Sequence, residues 1–120
     1  MLTPSEARAA WVKALRSDEF EQGEGALRHG DKYCCLGVAC ELAIRDGVWL
    51  SVTVDENNLY AYSGQTGTLP GDVRRWLDLE TVDGVLKDDS ETSLASTNDA
   101  GSPFSEIADI IERDDVALAS

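Results

Sequence analysis

Hydrophobic residues in the first segment follow a helical period. They recur at positions i, i+4, i+7 and i+8, as Ala7, Trp11, Ala14 and Leu15. The preceding residues, Thr3 to Glu6, supply a capping hydroxyl, a proline at the first helical position and a glutamate three residues after the cap. The pattern predicts a helix that begins here and ends near Ser17.

The next segment changes period twice. Residues 26–29 and 32–35 flank Gly30-Asp31, a pair typical of a two-residue hairpin loop, so we predict two short antiparallel strands. From Cys35 or Leu36 to Arg45 the pattern is helical, and only Gly37, Glu41 and Arg45 interrupt the apolar residues. This spacing predicts a buried helix that exposes one narrow stripe to water.

A second hairpin is predicted from strict alternation. Four aliphatic residues form one face of a strand, namely Val48, Leu50, Val52 and Val54. Residues 55–58 have turn chemistry, and residues 59–62 return as the partner strand.

In the rest of the chain, the pattern of hydrophobic residues predicts helices separated by polar connections. The following elements are predictions from this pattern. Residues 69–79 form a short helix with an inward face of Val73, Trp76 and Leu77. Residues 80–90 form an exposed connection with a strand at 82–86, and a helical turn follows around Leu94. The last helix begins with Ser102 as its cap and Pro103 at its first position, and it buries Phe104, Ile107, Ala108 and Ile111. Together the elements predict a single α+β domain over residues 1–120, with a small antiparallel sheet of two hairpins packed against three to four helices.

Composition adds a strong charge asymmetry to this picture. Hydrophobic residues make up 42% and charged residues 28% of the 120 residues, which is typical of a folded protein. Ten Lys and Arg against 23 Asp and Glu give a net charge of −13. Residues 1–50 carry six basic and eight acidic side chains, and residues 51–120 carry four and fifteen. Such a field repels phosphate backbones and anionic lipid, so direct binding to nucleic acid or to a membrane is not expected.

Two further patterns bear on location. No apolar run approaches the roughly 20 residues that span a bilayer, and the first residues lead into a helix and not into a secretion signal. Three cysteines cannot all pair within one chain, which favours a reducing compartment. We therefore expect a cytoplasmic protein.

All three cysteines lie within the segment YCCLGVACEL, residues 33–42. Structural zinc needs four ligands, and adjacent cysteines with a single histidine in the chain do not provide them. Hairpin pairing places His29 and Cys34 on one face, which would suit a thiol nucleophile, but no third group orients the imidazole. Because free cysteine is among the most buried residue types, we expect the three thiols to fill the core. The sequence thus predicts no catalytic residue, no metal site and no cofactor.

Three segments resemble a family of small proteins of tailed bacteriophages and prophages, especially those of actinobacteria. They are GEGALRHGDKYCCLGVACELA, LPGDVRRWLDL and SLASTNDAGSPFSEIADIIE, and they cover nearly half of the chain. The adjacent cysteines that run into Leu-Gly-Val are their most specific part. The family has no agreed biochemical activity, so the resemblance carries over no catalytic residue. It implies a phage accessory protein that is made in the cytoplasm of its bacterial host.

These observations favour recognition over catalysis. We expect non-covalent binding that inhibits or modulates a host or defence protein, with no direct nucleic-acid or membrane partner. Three alternatives stay open: a protein that sequesters a nucleotide-type small molecule, an acidic DNA mimic, and a thiol-dependent enzyme. The residues predicted to line a small-molecule pocket are Tyr60, Tyr62, Arg74, Arg75 and Trp76. A homodimer, and whether the acidic half is a binding surface or only solubility charge, also stay open.

Overall fold

A computed structural model describes residues 1–120. The five helices are α1 (Pro4–Arg16), α2 (Cys35–Arg45), α3 (Gly71–Leu77), α4 (Leu94–Asp99) and α5 (Phe104–Glu112). The five strands are β1 (Glu21–Gln22), β2 (Arg28–His29), β3 (Lys32–Tyr33), β4 (Val52–Val54) and β5 (Tyr60–Tyr62). No helix is long and apolar enough to cross a lipid bilayer.

The predicted α+β class and both hairpins are confirmed. Strands β2 and β3 pair antiparallel around the Gly30-Asp31 turn, with His29 opposite Lys32, and β4 pairs antiparallel with β5. The sequence did not predict β1, which adds to β3 in parallel and gives the order β1-β3-β2. A single bridge between His29 and Leu59 joins the two sheets, which leaves β4 at the outer edge of this layer.

Helix α1 lies at the centre of the packing. Its start is as predicted, because Thr3 and Glu6 form a reciprocal capping box. Helices α2, α3 and α5 all pack against α1, and the indole N–H of Trp11 donates to the carbonyl of Cys35 at 2.9 Å. The 27 residues of the hydrophobic core form one cluster around these contacts.

A buried amide network joins three distant parts of the chain. Asn98 is fully buried in α4, and its Oδ1 accepts hydrogen bonds from the backbone N–H of Cys35 at 3.1 Å and from Nε2 of Gln22 at 3.0 Å. Its Nδ2 donates to the carbonyl of Gly23 at 2.8 Å. Both acceptor positions and one of the two donors of the side chain are thereby used, each across 60 or more residues of sequence separation.

The same network corrects the predicted start of the last helix. Helix α5 begins at Phe104 with Pro103 as its cap, and not with Ser102 as the cap. Proline offers no side-chain acceptor, so Oε1 of Gln22 accepts the N–H of Phe104 at 3.0 Å. A side chain from β1 therefore replaces the local cap that the sequence pattern indicated.

The predicted strand at residues 82–86 is not present. Val85 and Leu86 instead make isolated bridges, to Ser93 and to Val116. The connection thus forms one isolated bridge to the N-cap of α4 and one to the C-terminal segment, and it does not extend a sheet.

The predicted water-facing stripe of α2 is also corrected. Arg45 is exposed, but Gly37 is buried and Glu41 accepts a hydrogen bond from the hydroxyl of Tyr62 at 2.7 Å. A Cβ added at Gly37 would lie 1.7 Å from the carbonyl oxygen of Leu27. Glycine is required here because the helix packs directly against the backbone that enters β2.

We expect Gly37→Ala to lower the free energy of unfolding by about 3 kcal/mol or more, because the added methyl group displaces α2 from the Leu27 backbone. Helix propensity alone predicts that this substitution raises the free energy of unfolding, because alanine favours a helix more than glycine does. Gly71→Ala at the start of α3 is the control, since its added Cβ would meet only the mobile end of Arg75. Urea titration of both variants checks this, and a stability of Gly37→Ala equal to that of the wild type would contradict the packing.

We expect Asn98→Ala to cost roughly 2 to 4 kcal/mol, because the N–H of Cys35 and the carbonyl of Gly23 lose their partner inside the protein. Asn57→Ala, at an exposed turn position, should change stability by less than about 0.5 kcal/mol. Equal midpoints for the two variants in chemical denaturation would show that the network is not a stabilising one.

Candidate interaction surface

The three cysteines are core residues, as predicted. All three are free and buried, and Cys35 and Cys40 have no exposed surface. Burial raises the pKa of each thiol above its ordinary value of 9.0, most strongly at Cys35 and Cys40. His29 is exposed on β2 and makes no hydrogen bond to Cys34. The segment YCCLGVACEL therefore contributes packing, and its thiols are held in the protonated state.

The two tyrosines of the predicted pocket lie on β5 and meet an arginine that the sequence did not indicate. The guanidinium of Arg28 lies 3.8 Å from the ring centre of Tyr60 and 5.0 Å from that of Tyr33. Tyr62 is fully buried and donates its hydroxyl to Glu41, and burial followed by this carboxylate raises the pKa of Tyr62. The cluster fastens β5 to β2 and to α2.

The other three predicted pocket residues have different partners, around α3. The indole N–H of Trp76 donates to Oδ2 of Asp46 at 2.9 Å. Arg74 donates to the carbonyl of Leu79 at 2.8 Å, and Arg75 pairs with Asp72.

The five predicted pocket residues therefore do not converge on a common cavity. No hydrogen bond, ion pair or cation–π contact links the tyrosine group to the α3 group. None of the five lines any of the four main surface clefts. The cleft of about 680 Å³ beside the end of α1 is bordered instead by acidic residues that include Asp18, Glu19, Glu21 and Asp31.

Strand β4 differs from its predicted burial. Leu50 is buried, but Val52 and Val54 are 44% and 52% exposed, and the neighbouring Trp49 is 80% exposed. The predicted apolar face is thus only partly covered, because β4 lies beyond the helices that cover the core and all three of its residues face water. Large apolar side chains at such exposure are unusual when they cluster.

The outer edge of β4 has unpaired backbone groups. The N–H of Ser63 donates to Ser51 at 2.6 Å, and the N–H of Asp55 donates to Leu59 at 3.1 Å. In an antiparallel ladder, hydrogen-bonded and non-hydrogen-bonded residue pairs alternate, and these bonds show that residues 51 and 55 belong to the hydrogen-bonded pairs. Val52 and Val54 belong to the other pairs, so they direct their N–H and C=O groups away from β5. The edge can therefore accept a further strand.

The N-terminal residues extend this apolar surface. The N–H of Leu2 donates to Oδ2 of Asp46 at 2.9 Å, and the Met1 methyl group lies beside Gly47. Met1 is 83% exposed. Five of the six exposed large hydrophobic residues thus belong to residues 49–54 or to the N-terminal residues beside the preceding turn, and we call these five residues the β4 patch: Met1, Leu2, Trp49, Val52 and Val54.

Acidic residues precede and follow β4 along the chain, and this part of the sequence contains no basic side chain. No lysine or arginine occurs from residue 46 to residue 73, whereas Asp46 precedes β4 and Asp55 and Glu56 follow it. The hydrogen bonds from Trp76 and from the Leu2 N–H lower the pKa of Asp46, so its carboxylate is ionised at neutral pH. The patch is an apolar strand edge between negative charges.

We expect the stability of the protein to fall above pH 9 because of the buried thiols. In the unfolded chain the thiols ionise near 9.0, whereas the folded state retains their protons, so each pH unit above that value favours unfolding. Three thiols should lower the free energy of unfolding by roughly 4 kcal/mol between pH 8 and pH 10. Denaturant titrations at each pH measure this, and Cys40→Ala should remove about one third of the slope. A flat profile would mean that the thiols ionise as readily in the folded protein.

Comparison with known proteins places the chain in a family. A family model described as Domain of unknown function (DUF8296) matches residues 4–115. No curated protein and no solved structure matches the chain significantly. The expected membership of a family without an assigned activity is confirmed, and the phage context stays a prediction. Because the matching model spans nearly all of the sequence, the chain belongs to the DUF8296 family.

Proposed function

We propose that this protein is a non-enzymatic binding protein that holds a partner protein on the β4 patch. The observation that carries the proposal is that five of the six exposed large hydrophobic residues belong to the β4 patch, in which Val52 and Val54 lie on an unpaired strand edge. The sixth, Val82, lies in the connection after α3. Contiguous apolar surface of this kind is typical of interaction sites in soluble proteins.

The net negative charge of the molecule favours a partner protein with a basic surface. Six of the ten lysines and arginines already form ion pairs with acids of the same chain, and Arg8 and Arg74 donate to backbone carbonyls. The excess of acidic side chains is therefore left uncompensated on the surface. A partner with a basic surface would gain from this field and would be steered toward it.

The biological role that fits this mode of binding is inhibition or modulation of a host or defence protein. The resemblance to phage and prophage proteins supports this role. The small-molecule alternative loses its predicted pocket, because the five predicted residues line none of the four main clefts. A binding protein of this kind acts by occupying its partner, so it requires no reactive group of its own.

The test is affinity capture from infected host cells with matched patch and control variants. Trp49→Ser combined with Val54→Ser removes the two most exposed apolar side chains among residues 49–54 of the β4 patch, and Val82→Ser removes the apolar residue outside the patch. We expect the wild type and Val82→Ser to retain one stoichiometric partner protein, and the double variant to retain at least about tenfold less, because hot-spot aromatic residues dominate binding. Mass spectrometry identifies the partner. Equal recovery by the double variant, or recovery of a small molecule alone, would refute the proposal.

A further inference from the structure

We infer that the β4 patch binds an extended, basic segment of its partner as an added β-strand. This inference rests on the proposed function and names the partner's chemistry at the same surface. Its basis is the combination of an open strand edge, exposed apolar side chains along it, and the acidic residues Asp55 and Glu56 directly after it in a chain of net charge −13.

The open edge provides the backbone part of the recognition. Val52 and Val54 each present one N–H and one C=O outward, in a regular register with Tyr62 and Tyr60. An added strand would therefore form up to about four hydrogen bonds without any change in β4. The opposite edge strand, β1, is only two polar residues long and offers less.

This edge is short, but it lacks the other devices that natural sheets use against unwanted pairing. Those devices are lysine, proline, bulges and covering segments. Residues 48–58 contain no lysine and no proline, and the pairing of β4 with β5 has no bulge. The edge has three exposed residues and no cover. It is thus in the state that strand addition requires.

Side chains determine which segment fits. Val52 and Val54 lie on one face of β4 and favour apolar or β-branched side chains at alternate positions of the added strand, and Trp49 adds an exposed aromatic ring before the strand. Asp55 and Glu56 directly follow β4, and Asp46 precedes it by six residues, so lysine or arginine is favoured at the ends of the added segment.

A second copy of this chain is the competing occupant, and charge disfavours it. Each copy carries a net charge of −13, so self-pairing through the edge would bring two strongly acidic surfaces together. The two occupants also respond oppositely to salt: screening weakens the attraction of a basic segment and relieves the repulsion between two copies.

The probe is a synthetic peptide of about nine residues with a Thr-Val-Thr-Val-Thr centre and two lysines at each end, so that its centre spans β4 and its lysines lie beyond both ends of the strand. A matched peptide has glutamate in place of every lysine. Binding is followed by NMR through the backbone amides of Val52 and Val54. The change in tryptophan fluorescence on addition of peptide reports Trp49, because Trp11 and Trp76 are buried and shielded from the peptide.

We expect the lysine peptide to shift the amide signals of Val52 and Val54 and to bind at least about tenfold more tightly than the glutamate peptide. Its affinity should fall at least about threefold between roughly 0.05 M and 0.3 M salt. Val54→Pro removes one outward N–H and leaves the bonds to β5 intact, so it should abolish binding. Val54→Thr is the matched control, because it keeps that N–H and the β-branched shape.

Four results would overturn the inference: no shift at about 1 mM lysine peptide, equal affinity for the two peptides, shifts confined to residues outside β4 and its neighbours, or unchanged binding by Val54→Pro. Sedimentation of the free protein tests the second copy, and a dimer that Val54→Pro dissociates would replace the basic segment as the occupant. Capture of a partner that depends on Trp49 and Val54, together with failure of the lysine peptide, would leave the proposed function intact and reject only the basic strand. Failure of both experiments would reject both.

Discussion

The structure depends on the hydrogen bonds of one buried side-chain amide, that of Asn98. Helix α2 begins after Cys34, and helix α5 begins after Pro103, and neither of these residues forms a side-chain cap. Asn98 accepts the first N–H of α2, and Gln22, which is bonded to Asn98, accepts the first N–H of α5. Two helix starts are therefore satisfied by residues distant in sequence, which couples the position of each helix to β1 and α4.

Local signals account for the parts of the fold that the sequence predicts well. The capping box of α1, the Gly30-Asp31 turn and the apolar run of α2 are each decided by residues within a few positions of one another, and each is found where it was expected. The burial of the cysteines follows from the same helical pattern. These features need no knowledge of what packs against them.

The features that the sequence does not predict are all set by distant contacts. Gly37 interrupts the apolar pattern of α2 and so suggests a position facing water, but it is fixed by the backbone of Leu27 on another element. Arg28 meets Tyr60 only because the two sheets are bridged. The alternation along residues 48–54 correctly indicates a strand, but it does not tell how far the helices cover that strand. The β4 patch is the result of this incomplete cover. The sequence therefore predicts the strand that forms the candidate surface, but it does not predict that the strand is exposed.

The contact between Gly37 and Leu27 also determines which residues of the YCCLGVACEL segment can be replaced. The thiols act as small hydrophobic groups of ordinary volume, and a core accepts residues of similar size and polarity at such positions at modest cost. No side chain fits at Gly37 while α2 keeps its place. Among chains that share this architecture, the cysteines should thus be the interchangeable residues and the glycine the invariant one.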